Sequence, residues 1–156
     1  MKESAIIIHN VRSVENTASI FRTAATAGVN KIYLVGITPA PLDRFGKPRK
    51  DFAKVSLGSE KLVKWEHVSS FTPLMKRLKK EKFFVIALEQ APGAHDYRKI
   101  KPTNKTAIMV GNEVKGLPKK VLEECDVVAV INTPGKKESL NVAIALAIGL
   151  FRILDI

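Results

Sequence analysis

The 156-residue chain holds a single cysteine, Cys125, and only three histidines, His9, His67 and His95. One thiol cannot close an internal disulfide or build a cysteine-rich metal site, and the histidines show no metal-ligand spacing and read as structural or exposed. No metal is expected. No stretch reaches the ~18 apolar residues of a membrane span, and the apolar part of MKESAIIIHN is too short for a secretory signal. These absences give the expectation of a soluble protein of a reducing cytoplasm with no membrane partner. The nearest approach to a span, residues 140–150, contains Asn141 and is closed by Arg152. It reads as a buried helix, and a helix apolar all round must be covered by something, in so small a protein by a second copy of the chain if not by its own fold. The glycine-rich signatures GxxxxGKS/T and GxGxxG are also missing, which removes support for nucleotide hydrolysis and hydride transfer.

Negative charge is scarce. There are 26 Lys plus Arg against 15 Asp plus Glu, a net charge of +11. The basic residues gather in 44–64, 76–82 and 98–105, the pattern of a protein that meets a polyanion, with lysine serving only solubility as the alternative. Aromatics are few too, seven Phe, two Tyr and one Trp. Within the basic stretches only Phe45, Phe52 and Trp65 could stack on bases, so phosphate contact should outweigh stacking.

What is present is a series of apolar, β-branched runs at 5–8, 32–35, 83–88, 107–110 and 127–131. They do not alternate cleanly, as strands buried on both faces do not. Helical patterns lie between them at 14–27, 73–80, 118–124 and 140–154. Thr72-Pro73 reads as an N-cap and first turn, Leu117-Pro118 as a helix start, and Gly28 as a helix stop. The order predicts one α/β domain over 1–156 with a parallel sheet. Residues 36–64, rich in Pro, Gly and Lys, read as an insertion at the rim of an active site.

Projection of the first helix places Asn16, Ser19, Arg22, Thr23 and Thr26 within an arc of roughly 120°, with apolar residues on the rest. Arg22 is the one charge between Asn16 and Ala27. A planar guanidinium there suits a phosphate, and an ordinary solvent-facing arginine is the alternative. After the run at 107–110, Glu113 sits between Gly111 and Gly116, where the backbone can approach a ligand closely and a carboxylate can orient a base, a ribose or an arginine. The last strand ends in a polar loop that feeds Ser139, Leu140 and Asn141 into the apolar helix. Strand ends that deliver Gly, Glu, Ser and Asn are where α/β proteins hold ligands.

In order and spacing, NTASIFR at 16–22 with the TAATAG that follows, VGNEVKG at 110–116 and INTPGKKESLNVAIA at 131–145 resemble the three signature motifs of the SpoU (TrmH-like) family. These are RNA ribose 2′-O-methyltransferases of the SPOUT superfamily. The resemblance implies a parallel-sheet three-layer sandwich ending in a C-terminal trefoil knot, although chains as a rule do not thread their own loops. It also implies a homodimer and S-adenosylmethionine as methyl donor, held on backbone near Leu88, at Gly111 and along 131–140, including Ile131, Ser139 and Leu140. Carried over by motif, Arg22 would touch the target ribose and phosphate and help remove the 2′-hydroxyl proton, Asn16 would support it, and Glu113, Ser139 and Asn141 would hold Arg22 and the ribose in line for a single displacement, with no separate RNA-binding domain of the kind some relatives carry. Much of the acceleration would come from alignment, up to ~7–11 kcal/mol in favourable cases.

An arginine is almost always protonated and makes a poor general base, so stabilisation of the alkoxide is the alternative role. The proton then has three exits: a phosphate oxygen, a water or Glu113. The family's usual Ile-Pro-Met is Ile131-Asn132-Thr133 here, which puts cofactor contacts at 132 and 133 in question. Arg44, Lys47, Arg49, Lys50 and Lys54 are the candidates for RNA phosphate contact, with a merely solvated loop as the alternative. The expected substrate is tRNA, then ribosomal RNA. A non-catalytic RNA-binding or assembly protein of the same fold is the reading from a different class.

Overall fold

A computed structural model describes residues 2–156. The first half comprises β1 (Glu3–His9), α1 (Val14–Ala27), β2 (Lys31–Val35), α2 (Lys50–Ser56) and β3 (Lys64–Val68). The second comprises α3 (Phe71–Lys80), β4 (Phe84–Leu88), β5 (His95–Asp96), β6 (Lys105–Val110), α4 (Lys119–Glu124), β7 (Val127–Val130) and α5 (Val142–Leu154). The strands form one seven-stranded sheet in the order β3-β2-β1-β6-β4-β7-β5, and every neighbouring pair is parallel.

The unalternating apolar runs follow from burial on both faces. On one face Ile6, Ile8, Ile32, Leu34, Ile86 and Ile108 pack beneath α1, α2 and α5 through Phe21, Ala24, Phe52, Leu146 and Leu150. On the other, Ala5, Ile7, Tyr33, Val85, Ala107 and Met109 pack against Leu74, Met75 and Leu78 of α3 and Val121 of α4. Full burial of each large side chain contributes about 1.5–3 kcal/mol. The chain builds outward from β1 through β2 to β3 and then returns to the other side of β1, so the order reverses between β1 and β6. The loops after β1, β2, β4, β6 and β7 all leave the sheet at its carboxyl edge. A crevice at that reversal is where an open α/β sheet binds a ligand.

Several boundaries differ from the sequence expectation. The segment 36–64 is not simply a rim insertion. Its second half forms α2, which packs on α1 with Phe52 fully buried edge-on against Phe21, ring centroids 5.2 Å apart. It is followed by β3, whose KWEHV sequence lacks an apolar run because it is an edge strand: the half-buried Glu66 pairs with Lys31 at 2.7 Å and Arg77 at 2.9 Å. The helix expected from Thr72-Pro73 starts at Phe71 after Ser70, with Pro73 accommodated in the first turn, where its missing N–H costs nothing. α5 begins at Val142, two residues later than expected, because Asn141 is its N-cap. Gly28 does stop α1, in a left-handed conformation with φ 70°. Among the described residues no helix is long and apolar enough to cross a membrane. Nor, among them, does any cluster of His, Cys, Asp and Glu have the makings of a metal site.

Candidate active site

A cleft of about 660 Å³ opens at the carboxyl edge, between the loops that follow β4, β6 and β7, with Asn16 of α1 on its wall. Its lining includes Leu88, Gly111, Glu113, Ile131, Ser139, Leu140 and Asn141. Motif residues scattered over more than a hundred positions of sequence thus meet in one place.

Their meeting point is a chain of hydrogen bonds built on two helix N-termini. The first-turn amides of a helix lack partners within it and attract carboxylates and side-chain oxygens. Ser13 caps α1 by accepting from the Asn16 amide at 3.0 Å. The Glu113 carboxylate accepts from the amides of Arg12 and Ser13, both at 3.0 Å, and from the Asn16 side chain at 3.3 Å. Asn16 Oδ1 in turn accepts from Asn141 Nδ2 at 3.0 Å. Asn141 spends its own oxygen on the amides of Ala143 and Ile144, at 2.9 and 3.3 Å, as the cap of α5. The loop after β6, the start of α1 and the start of α5 are therefore locked together through Glu113, Asn16 and Asn141.

Burial pushes the Glu113 carboxyl up, but the amides of Arg12 and Ser13, its own backbone and Asn16 together outweigh it and hold its pKa below the ordinary value of 4.5. A carboxylate so placed keeps its charge and is a weak proton acceptor. Its geometry is that of a strut.

The cleft floor is held in part by residues that the sequence did not single out, Glu89 and Asn10. Glu89 accepts from the amides of Leu117 at 2.8 Å and Gln90 at 2.9 Å. Its carboxylate fills the space that a side chain at Gly116 (φ 65°) would need, which is why glycine stands there. Asn112 folds the loop on itself, accepting from Val114 and Lys115 at 2.9 Å, and donates to the Asn10 carbonyl at 2.8 Å. The signal for these residues was only that Asn10 and Glu89 directly follow apolar strands. A Cβ at Gly111 would come within 2.7 Å of Leu117 and 2.9 Å of the Gly116 backbone, so the loop closes only around glycine. Among the described residues, the backbone of 132–140 forms no hydrogen bond within the protein. Its amides and carbonyls are available to a ligand.

Ser139 is exposed in the cleft. Arg22 is not among the lining residues: it is exposed on α1, six residues beyond Asn16, which is about 9 Å along the axis. Of the basic candidates, Arg44, Lys47, Lys50 and Lys54 are exposed. Arg49 is instead engaged by Asp51 in a two-pronged pair at 2.7 and 3.1 Å. His9 is buried with its ring edge-on to Phe71. Burial, with the charges of Asp126 and Glu124, pushes the Cys125 thiol up to about 12, which disfavours the nucleophilic thiolate.

Comparison with known proteins agrees with this geometry. The model of the SpoU rRNA Methylase family matches residues 3–151. The chain is 28% identical over 150 residues to a tRNA (guanosine(18)-2′-O)-methyltransferase of Aquifex aeolicus, covering 96% of this chain and 68% of that protein. It is also 28% identical over 146 residues to the 23S rRNA (guanosine-2′-O-)-methyltransferase RlmB of Xylella fastidiosa, covering 94% and 56%. An AdoMet-bound rRNA methyltransferase from Sinorhizobium meliloti superposes with a TM-score of 0.85 at 31% identity, over 97% of this chain and 55% of that one. The chain thus spans 55% to 68% of the length of these proteins. With the three-loop cleft, the Glu113–Asn16–Asn141 linkage and a family match over nearly all its residues, the chain belongs to the SpoU rRNA methylase family.

Proposed function

We propose that this chain is an S-adenosylmethionine-dependent RNA ribose 2′-O-methyltransferase acting on tRNA. The single observation that carries the reading is the convergence of Asn16, Glu113, Ser139 and Asn141 on one cleft, three of them linked by hydrogen bonds. Ribosomal RNA is the second substrate reading, because an rRNA enzyme matches the chain at the same 28% identity as a tRNA enzyme.

The residues present fit the cofactor. Leu88, Val110, Ile131, Leu140 and Ala145 supply apolar surface for an adenine, and the unspent backbone of 132–140 supplies donors and acceptors for its edge and for a ribose. Backbone recognition also tolerates Asn132-Thr133. When bound, S-adenosylmethionine offers a methyl carbon activated by its sulfonium to the ribose 2′-oxygen. The protein's part is alignment and charge. Glu113 and Asn16 are positioning residues: they fix the start of α1 against α5 and so the wall on which a ribose rests. The planar guanidinium of Arg22 clamps the adjacent phosphate and stabilises the developing alkoxide. Glu113 is already engaged by three donors and held below its ordinary pKa, so the proton leaves to a phosphate oxygen or water.

Because Arg22 stands outside its own chain's cleft, we assign it to the cleft of a second copy. Ile144, Ile148 and Phe151 leave an apolar stripe on α5, 53%, 38% and 38% exposed, beside α1. A homodimer through this face buries the stripe and carries Arg22 across. The C-terminal knot belongs to the same proposal. β7 inserts between β4 and the earlier β5, while α5 packs against the 3₁₀ turn Tyr97–Lys99, with Arg152 bonded to the Arg98 carbonyl at 3.0 Å. That arrangement supports passage of the chain's end through the loop of residues 89–104.

Thermal unfolding with and without S-adenosylmethionine tests the cofactor site, since a ligand of the native state raises Tm. The expected result is a concentration-dependent rise that the Arg22→Ala variant retains while its methyl transfer to RNA falls at least a hundredfold, about 2.7 kcal/mol. Full activity in Arg22→Ala would refute the catalytic assignment.

A further inference from the structure

The hairpin that follows β2 carries an aromatic ring that packing does not explain. Phe45 is 72% exposed at its tip, in a chain with only seven Phe, two Tyr and one Trp. The Arg44 guanidinium lies 4.8 Å from the ring centroid. A ring so exposed still has surface to offer. The tip is also held in shape without any partner. Leu42 and Pro48 form an antiparallel bridge, and the Asp43 carboxylate accepts from the amides of Phe45 at 2.8 Å and Lys47 at 2.9 Å. Two backbone bonds, Asp43 to Lys47 at 2.8 Å and Gly46 to Asp43 at 3.0 Å, and Gly46 at φ 76° complete the turn. A tip ordered in advance loses little entropy when it binds.

The hairpin leaves the same sheet edge as the cleft, from β2, which is two strands and so about 10 Å from β6. Its base is tied to the cleft loop through Asn10: the Asn10 side chain accepts from Ile37 N at 3.0 Å, and the Asn10 carbonyl accepts from Asn112 at 2.8 Å. Lys47 and Lys50, two and five positions after Phe45, are exposed, and neither forms an ion pair among the described residues.

Resting on the RNA-methyltransferase reading above, we infer that Phe45 is a specificity-determining residue that stacks on an unpaired base near the methylated ribose. Arg44 and Lys47 hold the flanking phosphates. A π-face is accessible on an unpaired base and not inside a duplex, so the substrate class is a looped, single-stranded stretch of RNA. Basic side chains alone would not discriminate in this way.

Two readouts test it on the intact protein. In methyl transfer to unmodified tRNA, Phe45→Ala is expected to raise KM for RNA about tenfold or more, the scale of one lost base stack, with KM for S-adenosylmethionine unchanged and Phe45→Tyr restoring the wild-type value. Independently of catalysis, Phe45→Trp gives an emission, measured against the wild-type signal of Trp65, that single-stranded poly(U) and poly(A) should quench and an RNA duplex of equal length should not. Unchanged KM for RNA in Phe45→Ala, or equal responses to single strand and duplex, would overturn the inference. If the wild type transferred no methyl group while the tryptophan was still quenched selectively by single strands, the stacking role would stand and the enzymatic reading would fall.

Discussion

Glu113 shows how one side chain can serve a site without reacting in it. It is a motif residue between two glycines, a position that suggests contact with ribose or arginine. In the folded chain its oxygens are spent on the amides of Arg12 and Ser13 and on Asn16. Burial works against the charge and these donors prevail, so the folded pKa lies below 4.5. The charge therefore stabilises the fold above pH 4.5, and that contribution fades as pH falls through the lower, folded value. Glu113→Gln should cost about 1 kcal/mol in urea unfolding at pH 7, a partly exposed carboxylate at a helix N-terminus being worth no more. The gap from wild type should narrow progressively below pH 4.5, and a gap independent of pH would mean that shape rather than charge matters. At this scale the sequence was informative where a residue stands in a motif. It was silent on Glu89 and Asn10, whose work is to hold backbone. The bonds between Glu89 and Leu117 and between Asn10 and Asn112 join residues 28 and 102 positions apart and leave no local pattern.

Among the elements, α5 joins most of the parts. Its cap, Asn141, uses one atom for the helix and another for Asn16, so the two roles can be separated. Asp is as good an N-cap as Asn but has no N–H to donate. Asn141→Asp should hold its Tm near the wild-type value, where Asn141→Ala loses about 1 kcal/mol, yet its methyl transfer should fall by at least tenfold. Unimpaired transfer would show that the link to Asn16 is dispensable. The strands and helices that were legible are those with several apolar residues in succession or at helical spacing. α2 was not, since its buried anchors reduce to Phe52 and Ser56, and β3 was not, since an edge strand has one side to keep polar. The helix projection found the hydroxyl stripe around Arg22, but a single chain's periodicity cannot say whose cleft an exposed arginine serves.

For the molecule as a whole, the parallel sheet explains why one edge carries all the chemistry, and the apolar stripe on α5 is the face through which the proposed dimer would form. Ile148→Glu should convert a dimer to monomers in analytical ultracentrifugation and abolish methyl transfer. Arg22→Ala mixed with Asn141→Asp should recover part of the activity that each lacks, because a mixed dimer contains one intact pair of contributions; no recovery would return Arg22 to its own chain. A net charge of +11 fits an RNA partner at this scale, and it adds attraction without choosing a sequence. The central claim is methyl transfer to a ribose. The most direct test is incubation with labelled S-adenosylmethionine and unmodified tRNA or, separately, ribosomal RNA, followed by nucleoside mass spectrometry. The account predicts a 2′-O-methylated nucleoside in one of the two pools, absent with Arg22→Ala. A label found on a base, or neither methyl transfer nor cofactor binding under any condition, would contradict it.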